Sequence, residues 1–231
     1  MLRLFFVLLL IGNALFSYGQ VLPPVAPLRQ ISIQPTQLLF REAVVAYQWS
    51  LSRQVDWQIE AGYRFNNPSA GPAYRIGVGL AAGYDLNQAV NPHHQAIRLA
   101  TGPVFYTDES RRRFVQFAYF LRHWWLTNQR IQIDRHSSDD IDVLRTDRTN
   151  AYGIKLFMGT TGTLFHSLED EEPSPLTYAL YMGVGLRYKT FWYESRDGTI
   201  GGQVVNYLFE RGQYWTPSVH LGLRLNLAFA K

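Results

Sequence analysis

The sequence predicts an all-β chain of eight antiparallel strands, running up and down in one closed sheet, and three observations lead there. Apolar residues recur at every second position along most of the chain, with little 3.6-residue period. The faces opposite those apolar rows carry glycine and charge. Aromatic residues are abundant, at 15% of the chain, and they stand at the ends of the apolar runs.

The chain begins MLRLFFVLLLIGNALFSYGQ, with Arg3 ahead of an apolar stretch from Leu4 to Ile11 and small residues at Ser17 and Gly19. This is the pattern of a secretory signal peptide over residues 1–19, too short and wrongly flanked for a membrane-spanning helix. Residues 20–37 read as a lead segment and residues 38–231 as one domain. Removing Arg3 from 22 basic residues leaves 21 against 18 acidic ones, a net charge of +3. That scattered excess argues against a nucleic-acid partner. There is no cysteine, so neither disulfides nor an acylated cysteine can hold the exported chain.

Taken in order, the first strand has Val45, Tyr47, Trp49 and Leu51 on one side and Glu42, Ala46, Gln48 and Ser50 on the other. The second sets Val55, Trp57, Ile59, Ala61, Tyr63 and Phe65 against Asp56, Gln58, Glu60, Gly62 and Arg64. A third runs from Tyr74 to Tyr84, where Tyr74, Ile76, Val78, Leu80, Ala82 and Tyr84 oppose Arg75, Gly77, Gly79, Ala81 and Gly83. Ile97, Leu99 and Thr101 mark the fourth against Arg98, Ala100 and Gly102. In the fifth, Val115, Phe117, Tyr119 and Leu121 oppose Gln116, Ala118 and Arg122. Tyr152, Ile154, Leu156 and Met158 oppose Gly153, Lys155 and Gly159 in the sixth. The seventh sets Tyr178, Leu180, Met182, Val184, Leu186 and Tyr188 against Ala179, Tyr181, Gly183, Gly185, Arg187 and Lys189. The last alternates Trp215, Pro217, Val219, Leu221, Leu223, Leu225, Leu227 and Phe229 with Thr216, Ser218, His220, Gly222, Arg224, Asn226 and Ala228.

Such two-faced strands suit either a soluble sandwich or a transmembrane β-barrel, and length separates the two. Tyr178 to Tyr188 is ten steps, which at about 3.3 Å each and a tilt of about 45° cover roughly 23 Å of membrane normal. That matches the apolar band of an outer-membrane barrel, about 25 Å tall, with an aromatic girdle at Tyr74, Tyr84, Tyr178, Tyr188, Trp215 and Phe229. Eight strands enclose only enough room for their own side chains. The reading is therefore a polar, plugged lumen, in which Glu42, Asp56, Glu60 and Asp85 pair with Arg75, Arg98, Arg122, Lys155, Arg187, Lys189 and Arg224, because unpaired buried charge is costly. With both termini in the periplasm, Thr127 to Asn150 and Glu194 to Tyr214 become long outer loops and Asp108 to Arg112 an inner turn. Ser52 to Gln54 is then an unusually tight outer loop, and Leu164 to Leu176 a long inner one.

Several segments carry the likeness of a known family. These are the leader ending in Gly19-Gln20, TGPVFYTDE (Thr101 to Glu109), FAYFLRHWW (Phe117 to Trp125), YMGVGLRYK (Tyr181 to Lys189) and VHLGLRLNLAF (Val219 to Phe229). The mature chain resembles the small outer-membrane β-barrel proteins common in Bacteroidetes, a likeness of pattern over nearly its whole length. The resemblance implies location in the cell outer membrane. The last segment also looks like an assembly signal for outer-membrane barrels, with His220, Gly222, Leu225, Leu227 and Phe229, here followed by Ala230-Lys231. Outer-membrane lipid, lipopolysaccharide and the barrel-assembly machinery are the implied partners.

Other constellations favour ordinary roles. Gly77, Gly79 and Gly83 sit in a strand pattern and are not followed by the helix of a nucleotide loop. Adjacent His93-His94 point to opposite sides of an extended chain, so a solvated loop is expected and no metal site. Asp139, Asp140 and Asp142 lack the glycine and terminal glutamate of a calcium loop. Two serine–histidine groupings bear on an alternative, a lipid A-modifying enzyme: His166, Ser167 and Glu169, and the inward pair Ser218 and His220. Trp124-Trp125, beside Arg122 and His123, reads as an interfacial anchor before the longest outer loop, where a protein or glycan could dock. The expectation is a non-catalytic protein with no cofactor and a structural or interaction role, through its outer loops or as an envelope-assembly subunit. A small pore is the further alternative.

Overall fold

The computed structural model describes residues 29–66, 93–108, 110–133, 141–164, 176–197, 199–200, 203–204 and 207–229. It begins with β1 (Arg29–Ile33), the helical turn α1 (Pro35–Leu38), β2 (Glu42–Ser50), β3 (Val55–Arg64) and β4 (Gln95–Tyr106). Four long strands follow, β5 (Arg113–Ile133), β6 (Ile141–Thr163), β7 (Leu176–Asp197) and β10 (Tyr207–Phe229). Between the last two, β8 (Thr199–Ile200) and β9 (Gln203–Val204) form a small separate ladder. The other eight strands make one ring-like antiparallel sheet in the order β1-β10-β7-β6-β5-β4-β3-β2, with β2 pairing back onto β1.

Alternation decides which way each strand faces. Along β2, Glu42, Val44, Ala46 and Gln48 point inward and are buried, while Val45 and Tyr47 are exposed. The same rule sends Gln58 and Glu60 of β3, Lys155 and Phe157 of β6, and Arg224 and Asn226 of β10 to the inside, and Ile59, Leu156 and Leu227 to the outside. Two apolar groups help to fill the interior. One joins Val104, Tyr106, Phe114, Phe157 and Tyr181; the other packs Phe120 and Trp124 against Ala96 and Ala151. Gly102, Gly153 and Gly183 lie where a side chain would strike a neighbouring strand's carbonyl oxygen, at 2.0, 2.1 and 2.4 Å from an added Cβ.

The eighth strand is β1, in the stretch assigned above to the lead segment. Its alternation is only five residues long before Pro35, too short to register as a period. Tyr74 to Tyr84 lies outside the described residues, and β3 pairs directly with β4 from Val55↔Phe105 to Arg64↔Ala96. Gaining a strand before β2 and pairing β3 with β4 reverses only β2 and β3 relative to the expected polarity. The turn at residues 51–54 therefore falls at the end of the ring that carries Arg29 and Phe229. Its tightness is natural there: the Ser52 hydroxyl accepts from the Val55 amide at 3.1 Å. The end of β4 and start of β5, and Thr163 of β6 with Leu176 of β7, share that end. The opposite end carries α1, the end of β3 and the start of β4.

Those hairpins replace most of the expected long loops. β5 and β6 stay paired to Ile133↔Ile141, past a register shift between Leu126 and Gln129, and β7 and β10 to Tyr207↔Arg196. A strand of 23 residues is about 73 Å long. β1 covers β10 only from Leu225 to Phe229, so among the described residues the rest of β10 pairs on one side only.

Candidate functional site

Inside the ring the polar residues form three tiers. Nearest the termini, Asp56 receives a forked bond from Arg111, Nη2 to Oδ1 at 2.6 Å and Nη1 to Oδ2 at 3.2 Å. Arg111 also donates to the Arg53 and Ser52 carbonyls, each at 3.1 Å, so one guanidinium ties the 51–54 turn to the 107–112 turn. Gln48 bonds both Asp56 Oδ2 and the Tyr106 hydroxyl at 2.7 Å. Arg111 adopts φ 56°, a left-handed conformation costly for a side chain with a Cβ, and the fork helps to hold it. The sequence reading missed Arg111 because it sits in a turn and not in a strand's alternation. An inward acid, Asp56, at the ring's rim was the available signal.

In the middle tier Arg224 donates to Gln58 Oε1 at 2.7 Å and Gln116 Oε1 at 3.2 Å, and lies 4.9 Å from the Tyr181 ring centre. Arg98 pairs with Glu60, which also accepts from Gln34; the Tyr181 hydroxyl donates to Gln34 at 3.0 Å. Toward the far end, Glu42 lies between Arg122, at 2.5 Å, and Arg98, at 3.6 Å. Glu60, Arg98, Glu42 and Arg122 are thus brought into one chain of ion pairs, while Asp56 is tied to Arg111 and Gln48, and Arg224 bonds two glutamines. Lys155 and Lys189 are buried as well and lie over aromatic faces: Lys155 is 4.3 Å from the Phe120 ring centre and Lys189 is 5.1 Å from that of Trp124. Arg187 faces inward and is half-buried. Arg75 and Asp85, like the girdle positions Tyr74 and Tyr84, lie outside the described residues.

Beyond this, His93 and His94 are 7% and 3% exposed, and so do not sit in a solvated loop. His94 Nε2 stands 3.5 Å from Asp147 Oδ2, and Arg145 bonds the other oxygen at 2.6 Å. Burial, chiefly, holds the His94 pKa below its ordinary value, against the pull of Asp147 and with the nearby Arg64 and Arg145 adding to the fall. Burial alone would raise Asp147, but His94 and Arg145 outweigh it and its pKa is lowered. No group of three or more potential metal ligands occurs among the described residues.

Trp124 and Trp125 part company: Trp124 points inward under Arg122, 4.5 Å from ring centre to guanidinium, while Trp125 points outward and stacks on His123. Ser218 Oγ and His220 Nε2 are 2.9 Å apart. A nucleophile's base needs a third group to orient it. His220 also meets the Phe157 ring edge-on, 5.6 Å between centres, and among the described residues no carboxylate is hydrogen-bonded to it. His166, Ser167 and Glu169 lie outside those residues, as do Gly77, Gly79, Gly83, Asp139 and Asp140. His220 and Gly222 of the C-terminal pattern face inward, while Leu225, Leu227 and Phe229 meet β1 in the closing seam.

The outer surface is graded in rows set by the register. Tyr152, Tyr188 and Trp215 stand side by side on β6, β7 and β10. On the side nearer the termini come Ile154, Leu186 and Pro217, then Leu156, Val184 and Val219, then Met158, Met182 and Leu221. On the other side lie Asn150, Thr190 and Gln213, then Arg148, Trp192 and Arg211. Val219 and Leu221 are 78% and 74% exposed. An apolar surface this continuous is unusual on a protein whose surroundings are water. No protein family, curated protein or solved structure matches this chain.

Proposed function

We propose that this chain is an eight-stranded transmembrane β-barrel of a bacterial outer membrane, exported by its leader and folded by the barrel-assembly machinery. The observation that carries the reading is the order of rows on the outer surface of β6, β7 and β10, apolar, then aromatic, then polar, then cationic, around an interior in which the acids of β2 and β3 are paired with inward arginines. Hydrocarbon, interface and head-group layers succeed one another in that order. A soluble fold would put the bonded charges outside and the leucines within.

The end bearing the termini faces the periplasm, and the extended sheet of β5, β6, β7 and β10 stands out from the cell. The role is structural or interaction-based and not catalytic. A protein or glycan partner would meet this extension, since a rigid sheet raised about 25 Å above an apolar band of similar height is a platform for contact. The packed interior disfavours a pore, and the unoriented Ser218–His220 pair disfavours the lipid-modifying enzyme. The likeness to Bacteroidetes outer-membrane proteins stands with this reading.

Outer-membrane fractionation combined with gel migration before and after boiling tests it. The unboiled, lipid-folded protein should run faster than the boiled chain and be found with the outer membrane. Identical migration, or recovery in the soluble periplasm, would overturn the proposal.

A further inference from the structure

Just past the aromatic row, the outer surface holds two cations with no acid beside them. Arg148 on β6 and Arg211 on β10 flank Trp192 on β7 in one register row, so their Cα atoms are roughly 10 Å apart across two strand spacings. Both arginines are exposed, and Arg148 lies 5.6 Å from the Trp192 ring centre. Neither has a carboxylate partner among the described residues. The nearest acid by register, Glu194 one row farther out, already binds Arg196 at 2.9 Å. Below them Asn150, Thr190 and Gln213 supply neutral hydrogen-bonding groups, and Gln213 is held in place by the Tyr188 hydroxyl. Arg148, Asn150, Thr190, Trp192, Arg211 and Gln213 line one open concavity of about 640 Å³.

We propose that this concavity binds the phosphorylated head group of a lipid in the outer leaflet, a phosphate resting between the Arg148 and Arg211 forks while its acyl chains run down over the Tyr188–Trp215 row and the leucines beneath. This rests on the outer-membrane reading above. The vertical order is what selects a lipid as the source of the phosphate: the cations stand one polar row above the aromatics, so an anchored head group arrives at their height with its tails already on the apolar rows. Guanidinium forks suit phosphate oxygens, and Trp192 keeps the Arg148 side chain lying along the wall.

The test uses the full mature protein in nanodiscs of phosphatidylcholine, with or without a diphosphorylated glycolipid, and native mass spectrometry to count the lipid retained after release. The wild-type protein should retain the phosphorylated lipid in preference to phosphatidylcholine. Arg148→Gln with Arg211→Gln should lower that retention about tenfold or more, and the Arg148→Lys, Arg211→Lys pair should fall between, having charge without the fork. Each variant's heat-modifiable migration shows that it is folded. Equal retention by wild type and the glutamine variant overturns the proposal. So does displacement of the lipid by millimolar inorganic phosphate, which would mark a free-phosphate site. A wild type that inserts into phosphatidylcholine discs but shows no preference sinks the head-group site alone, whereas failure to insert sinks the barrel reading and this site with it.

Discussion

Asp56 and Arg111 show how a single residue pair can close one end of the ring. Removing either leaves a buried charge without its partner, which typically costs about 3–5 kcal/mol. Arg111→Gly separates two effects, because glycine relieves the left-handed φ of 56° while deleting the fork. The ion pair outweighs the backbone strain, worth about 1–2 kcal/mol, so Arg111→Gly should be less stable than wild type, as read by urea unfolding in detergent. Arg111→Lys should lie between. A glycine variant as stable as the parent would assign the position to backbone geometry alone. His94 gives a pH dependence of definite sign. Its folded pKa lies below the ordinary value of about 6.5, so its contribution is complete above that pH and is lost as pH falls through the lowered folded value. Asp147, whose pKa is also lowered, loses its contribution at still lower pH, below about 4. Facing this pair, Arg64 and Arg145 remain charged throughout. The thermal midpoint should drop from pH 7.5 to pH 5, and His94→Gln should flatten that drop; an equal drop in the variant would exclude His94 as its source.

Among elements, β4 is the strand whose packing is least forgiving. A Cβ on Gly102 would lie 2.0 Å from the Phe117 carbonyl oxygen, which is backbone and cannot swing aside. Gly102 and Pro103 also sit in a gap of the β4–β5 ladder, whose register is the same on either side, Thr101↔Tyr119 and Val104↔Gln116. Gly102→Ala should therefore greatly reduce the fraction that refolds in lipid. Gly212→Ala meets the Phe191 ring on the half-buried extension, a side chain that can turn, and should fold almost normally. Equal refolding yields would show that the β4–β5 contact can open to admit a methyl group.

For the whole molecule, the ring's parity sets which surfaces meet the outside of the cell. Leu39, 83% exposed after α1, and Arg53, in the 51–54 turn, lie at opposite ends. The chain contains no cysteine, so single cysteines can report on each end without background. In intact cells a membrane-impermeant maleimide should label Leu39→Cys, and should reach Arg53→Cys only after the outer membrane is permeabilised. The reverse pattern would invert the proposed orientation, and labelling of both would argue against insertion.

Alternation made the all-β class and most strands legible, because a period of two survives wherever one face of a strand is consistently apolar and the other is not. Glu42, Asp56, Glu60, Arg98, Arg122 and Arg224 could be assigned to the inner face for the same reason. Which of them would touch was decided by register, a relation between strands far apart in sequence that no local pattern encodes. Arg111 entered the interior from a turn, Lys155 and Lys189 settled on aromatic faces, and Arg148 and Arg211 became neighbours of Trp192 only through the pairing of three strands. β1 shows the same limit at the scale of a strand: five residues carry too little periodicity to be recognised, and only closing the ring gave them two neighbours. Sequence determined the two chemistries of each strand's faces, and tertiary structure decided the partners, because alternation is local while pairing is not.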